Sequence, residues 1–216
     1  MAAQRKIYWG SGSAPAWRVL IALKEKGLEY ENKLIEFSKA GHKSEEILKL
    51  NPRGQVPTFV DEDGVVVNES LAALLYLQDK YPTPSLLPAT IEKRALVYQR
   101  FQEAANFHDK ISQVIRFKMA NADAEVPQDK VDAVKTELTL WESYLAEDSF
   151  IAGPEFSLAD VSFGPFLLTM IRFGGTLKDF PKLAKYADKI KARPSFKETS
   201  PPHWNDTPGK DFLASL

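Results

Sequence analysis

The chain has no cysteine among its 216 residues. That excludes disulfides, thiolate metal sites and any nucleophile or redox couple carried by a protein sulfur. Histidine is scarce as well, at three, and with no cysteine to add ligands no metal-binding constellation is recognised and no metal is expected. Net charge is almost absent, with 28 Lys and Arg against 29 Asp and Glu. No field draws a polyanion, and neither nucleic acid nor an anionic membrane is an expected partner. No window approaches the roughly 18 uninterrupted apolar residues that a membrane helix needs. The opening MAAQRKIYWG lacks the apolar run of a signal peptide, so the expectation is a soluble, cytoplasmic protein. Neither a phosphate-binding P-loop nor a G-x-G-x-x-G turn occurs. Any sulfur chemistry here must use a sulfur that a ligand brings.

What the sequence does hold falls into two textures. Its 44% apolar content is enough for one sizeable core or two small ones. In the first part, short β-prone runs alternate with helical patterns. KIYW (6–9) predicts a strand, and PAWRVLIALKEKG (15–27) a helix with Val19, Leu20 and Leu23 at helical spacing and Gly27 as its stop. YENKLIEF (30–37) predicts a second strand and SEEILKL (44–50) a short helix. VPTFVDEDGVVVNES holds two strands about the turn Asp63-Gly64. LAALLYLQDKY (71–81) predicts the next helix. The order βαβ–α–ββ–α makes residues 1–82 an α/β domain, and TPSLLPAT reads as a linker over 83–90. From 91 to 216 the patterns are helical: 91–120, 128–147, and 158–172, which is apolar nearly all round and expected to be buried. Within FSLADV (156–161), Ser157 and Asp160 form a capping-box variant, and Phe156 and Val161 sit at staple positions.

Four features in fixed order carry a resemblance. WGSGSAPAWRV (9–19) runs from a strand through a small-residue turn into a helix; NPRGQVP spans 51–57; Glu69-Ser70 opens a helix; SLAD (157–160) lies in an all-helical second half. Individually modest and jointly specific, they resemble a cytosolic glutathione transferase over nearly the whole chain. The stretches WGSGSAPAWRVLIALKEKG, HKSEEILKLNPRGQVPTF, NESLAALLYL and the late ADVSFGPF and PPHW are most similar to the rho class, with the serine-using theta, phi and zeta classes next. The resemblance implies a thioredoxin-like α/β N-terminal domain, an all-α C-terminal domain and a homodimer. It also implies glutathione as co-substrate, conjugated to small hydrophobic electrophiles in detoxification. The alternative is a non-catalytic binding or structural protein of the same fold. Loss of the small-residue turn or the Glu-Ser pair would mark it, and both are present. An omega-type thiol-transferring oxidoreductase needs a cysteine and is excluded.

Glutathione's thiol, with a pKa near 8.5, is only a few per cent thiolate at pH 7 and must be activated. By resemblance Ser13 does this, since it stands two residues before Pro15 and four before Trp17. A serine is no base for a thiol. As a hydrogen-bond donor to the thiolate it is worth about 1.5–3 kcal/mol, or about one to two pKa units. The helix N-terminus adds a few tenths to about 1 kcal/mol. Ser13 also reads as a plain helix cap, and Tyr8 is the rival donor because other classes use a tyrosine at the end of strand one.

The resemblance further implies a cis Pro57 that leaves the Val56 backbone free to pair with the cysteinyl part of glutathione like an added strand, with Gln55 near the glycyl end or the ligand backbone. Glu69 would meet the γ-glutamyl ammonium, and Ser70 with the helix-end N–H groups its carboxylate. His42 and Lys43 would meet the glycyl carboxylate. A strand-opening proline, ordinary capping and a solvated HKSEE turn are the plain alternatives at these positions. Leu71 stands where some serine classes carry an arginine. An acceptor site is expected between the domains, lined by Phe107, Ile111 and Ile115 at i, i+4, i+8 with His108 beside them, and by Arg172 and Phe173. The same stripe also suits a helix core, and Trp204 either covers the cleft or tethers the terminus.

Overall fold

The β-prone runs of the first part pair into a single sheet. A computed structural model describes residues 4–216. Strands β1 (Lys6–Gly10), β2 (Glu31–Ile35), β3 (Thr58–Val60) and β4 (Val66–Val67) lie in the order β2-β1-β3-β4. β1 is parallel to β2, with Ile7 opposite Asn32, and antiparallel to β3, with Ile7 opposite Phe59. A parallel pair needs a crossover, and α1 (Ala14–Glu25) supplies it. α2 (Glu45–Leu50), capped by Ser44, and α3 (Ser70–Lys80) complete the pattern expected from the sequence. β2 is shorter than its predicted run because Phe37 starts two 3-10 turns, Phe37–Lys39 and Gly41–Lys43, on either side of Ala40 at φ 51°.

α1 is enclosed almost all round, from Ala16 through Leu23. A late part of the chain closes it. The short helices α8 (Pro194–Glu198) and α9 (His203–Asp206) return to the first unit. Trp17 Nε1 donates to Thr199 Oγ1 at 2.9 Å, and its ring meets Phe196 and Trp204 edge-on at 5.8 and 5.2 Å. The chain thus divides into one unit that ends at Leu86 and resumes over 194–206, and a second made of 87–193 and 207–216. This differs from the two contiguous domains, 1–82 and 91–216, expected from the sequence. In the folded chain the indole of Trp17 takes its hydrogen-bond acceptor, Thr199, and two aromatic neighbours from that returning segment.

The second unit is helical: α4 (Ile91–Ala120), α5 (Gln128–Tyr144), α6 (Leu158–Arg172) and α7 (Pro181–Ala192). α6 is buried from Leu158 to Met170. Phe163 on it stacks on Trp141 at 3.9 Å and meets Phe107 at 5.2 Å. The helix begins on a closed capping box. Asp160, fully enclosed, accepts the N–H of Ser157 at 2.8 Å, the N–H of Ile151 at 3.0 Å and the hydroxyl of Tyr186 at 3.1 Å. Burial pushes its pKa up to about 6 against the pull of those donors. Among the described residues no helix is long and apolar enough to cross a membrane.

Candidate active site

Four segments of the first unit enclose a cleft of about 460 Å³: the pair of 3-10 turns after β2 brings Phe37, His42 and Lys43, and three others lead directly into a helix or strand. The first is the turn from β1 into α1. Ser13 donates its N–H to Gly10 O at 2.9 Å, and Gly12 takes a left-handed φ of 91°. Ser13 is the N-cap of α1, and its hydroxyl oxygen accepts from Ala16 N at a loose 3.4 Å. Pro15 follows inside the first turn, where its missing N–H costs no hydrogen bond.

The second loop precedes β3. Buried Asn51 organises it, donating through Nδ2 to Gln55 O at 2.9 Å and accepting Arg53 N–H at 3.1 Å. The Val56–Pro57 peptide is cis. Among the described residues nothing pairs with the N–H or C=O of Val56, a half-buried residue on the cleft wall. An extended peptide can therefore add to this wall through its main chain. Gly54 has a φ of 55°, and Lys43 crosses so close that a Cβ there would stand 2.7 Å from Lys43 Cδ. Lys43 Nζ donates to Arg53 O at 2.9 Å. His42 sits edge-on to Phe37 at 5.5 Å and also faces the cleft, its Nδ1 enclosed without a partner.

The third is the start of α3. Glu69 is its N-cap but makes no capping bond with its carboxylate, which is exposed and has no ion pair among the described residues. Ser70 is buried, and its hydroxyl accepts from Arg18 Nη1 at 3.3 Å. Arg18 is itself buried in α1, and desolvation lowers its pKa to about 9, which leaves it cationic at neutral pH. A buried cation thus backs the helix N-terminus where an anion would dock. The sequence reading assigned Arg18 no role; a lone arginine inside the apolar run AWRVLIAL was the signal available.

Ser13, His42, Lys43, Gln55, Val56, Pro57, Glu69 and Ser70 therefore surround one cleft. Tyr8 is not on it. Its hydroxyl donates to Glu46 Oε1 at 2.6 Å, and burial and that carboxylate raise its pKa to about 12. In the second unit, Phe107 and Ile111 are fully enclosed and belong to the packing against α6, not to an open pocket: the expected stripe is the helix's core face. Ile115 is half-buried, and His108 stacks on Phe166 with ring centres 4.1 Å apart. Arg172 and Phe173 are engaged by the end of the chain: Arg172 Nη2 donates to Thr207 Oγ1 at 3.1 Å, and Phe173 stacks on Phe212 at 5.6 Å. Among the described residues no His, Asp and Glu cluster is arranged to hold a metal.

An α/β unit with sheet order β2-β1-β3-β4, a cis-proline before β3 and an all-helical partner unit defines a thioredoxin-like architecture extended by a helical domain. The chain belongs to the glutathione S-transferase family. The family model for the glutathione S-transferase N-terminal domain matches residues 12–80, and that for the C-terminal domain residues 105–198. It is 41% identical to glutathione S-transferase A of Pleuronectes platessa over 226 aligned positions, covering all of both chains. The crystal structure of a glutathione S-transferase from the Antarctic clam Laternula elliptica superposes with a TM-score of 0.92 at 44% identity, covering 98% of this chain and 99% of that one. A glutathione transferase homologue from Drosophila mojavensis, solved with bound glutathione, matches with a TM-score of 0.82 at 26% identity over 99% and 96% of the two chains.

Proposed function

We propose that this protein conjugates glutathione to hydrophobic electrophiles, with Ser13 donating a hydrogen bond to the thiolate. The observation that carries the reading is the single cleft in which Ser13, the open main chain of Val56 and the start of α3 face one another. Its parts match the parts of the tripeptide. Val56 N–H and C=O pair with the cysteinyl residue, and the sulfur is thereby set beside Ser13. Glu69 takes the γ-glutamyl ammonium, while Ser70, the α3 N-terminus and Arg18 behind them favour its carboxylate. His42 and Lys43 take the glycyl carboxylate, with Gln55 alongside. The thiol proton leaves to solvent. The thiolate then forms a carbon–sulfur bond with the electrophile, whose leaving group or π-bond accepts the displaced electron pair. Phe37, 45% exposed on the same cleft, supplies an apolar wall for that electrophile.

Tyr8 as the activating group is disfavoured by its bond to Glu46, which uses its only proton. The rho class, a homodimer, a cytoplasmic location and a role in xenobiotic detoxification belong to the same reading and are supported by the motifs that carry the resemblance. The test is the thiolate absorbance of bound glutathione against pH. Ser13→Ala should keep the fold and raise the bound thiol's pKa by about one to two units, with a 10- to 100-fold loss of kcat/KM at mildly acidic pH. Tyr8→Phe should leave the titration in place. A shift with Tyr8→Phe and none with Ser13→Ala would overturn the assignment.

A further inference from the structure

We propose that His203 is a positioning residue for the turn that carries Ser13, acting through the hydroxyl of Ser11. The inference rests on the role given to Ser13 above. Ser11 Oγ lies 2.5 Å from Nδ1 of His203, which is 192 residues further along the chain. Among the described residues the Ser11 hydroxyl has no other partner. The serine donates when Nδ1 carries no proton and accepts when it does, so either tautomer of the imidazole keeps the bond. The same ring covers Gly12: a Cβ built on that glycine would stand 3.1 Å from His203 Cε1.

The neighbouring residue fixes the ring's own place. Trp204 packs edge-on against Trp17 at 5.2 Å, and Trp17 N–H closes the first turn of α1 on Ser13 O at 2.9 Å. Two successive residues of the returning segment therefore grip α1 and the turn before it, on either side of Ser13. The segment does not need the second grip in order to dock, since Phe196 and Thr199 already hold it to Trp17. The His203–Ser11 bond falls instead on residues 11–13, where Ser13's own cap bond is long at 3.4 Å. A hydroxyl that must meet a sulfur within hydrogen-bond range gains from a turn held on both sides, because pre-organised donors need not rearrange as charge forms on the sulfur.

The test compares full-length wild type with Ser11→Ala, His203→Ala, the double variant and His203→Asn, reading thiolate absorbance of bound glutathione against pH, kcat, KM and thermal midpoint. Asparagine offers an amide where Nδ1 stands and can restore the bond without a ring. We expect each alanine variant to raise the bound thiol's pKa by about half to one unit, costing about three- to tenfold in kcat/KM below the thiol pKa, as befits one hydrogen bond. The double variant should lose no more than either single one. His203→Asn should stay near wild type, and KM for glutathione should move less than kcat. The proposal is overturned if Ser11→Ala and His203→Ala leave the thiol pKa unchanged, or if their effects add. It is equally overturned if only KM or thermal midpoint moves. Should His203→Ala fail to fold, Ser11→Ala and His203→Asn decide the matter. A wild type that binds glutathione without lowering its thiol pKa would instead defeat the role of Ser13, and with it this one.

Discussion

A serine hydroxyl has one proton and two lone pairs, and Ser13 divides them. A lone pair accepts from Ala16 N in the helix cap, and the proton stays available for a sulfur. Capping and thiolate stabilisation, which compete as readings of the sequence, are thus compatible at one atom. Glu69 differs: its carboxylate makes no capping bond to α3, which leaves its oxygens open for the ligand contact proposed above. The ammonium it would meet is equally charged in ground and transition states, which makes the contact one of uniform binding. Glu69→Ala should therefore raise KM for glutathione by about tenfold, the worth of one charge-assisted hydrogen bond, while kcat changes little. Steady-state kinetics with glutathione as the varied substrate check it, and a collapsed kcat at unchanged KM would contradict it. At this scale the placement of Ser13, Val56 and Glu69 on one cleft was legible because each sits in a short local motif. Arg18 and His203 were not assigned, because each works through a partner, Ser70 or Ser11, that lies distant in the chain.

Elements were legible where the local signals agreed. α4 occupies the predicted 91–120, and α6 the predicted 158–172 with its capping box. α7 went unpredicted, although Pro181 at its start and Leu183, Tyr186, Ala187 and Ile190 on one face mark it. The hairpin β3–β4 shows what local patterns omit. Its turn residue Asp61 is fully buried and accepts from Arg5 Nε at 2.8 Å, Tyr76 and Tyr81 hydroxyls at 2.8 Å each, and Lys80 Nζ at 3.0 Å. It ties β1, the hairpin and the end of α3 together. Burial opposes its charge, but the hydrogen bonds from Lys80, Tyr81, Glu62 N–H and Tyr76 prevail and hold its carboxyl well below the usual carboxylate range. A depressed native pKa gives stability that is present above the unfolded value and lost as the pH falls toward the native one. Asp61→Asn should therefore cost about 2–4 kcal/mol near neutral pH, lowering the thermal midpoint by roughly 5–15 °C. The gap to wild type should narrow below about pH 4. Thermal unfolding across pH checks it, and a gap that does not change with pH would show that charge on Asp61 is irrelevant.

For the molecule as a whole, exposed apolar side chains on α4, among them Ile91, Leu96 and Tyr98, suit a second copy of the chain. We expect sedimentation at micromolar concentration to give twice the chain's 24.3 kDa; a monodisperse monomer would refute the dimer. The two-part architecture was legible in the change of texture near residue 90. The return of 194–206 to the first unit was not, because only the folded neighbourhood of Trp17 reveals what it lacks.

That return has a consequence for how the protein comes into being. A ribosome releases the β-strands and α1 early, yet Thr199 is made 182 residues after Trp17, and His203 192 residues after Ser11. At translation speeds of about 5–20 residues per second, the nascent first unit waits on the order of ten seconds for them. During that interval Trp17 has no cover and Ser11 no imidazole, while the helices of the second unit are already being made. The turn that carries Ser13 is thus finished only after residues 87–193 of the second unit have been made.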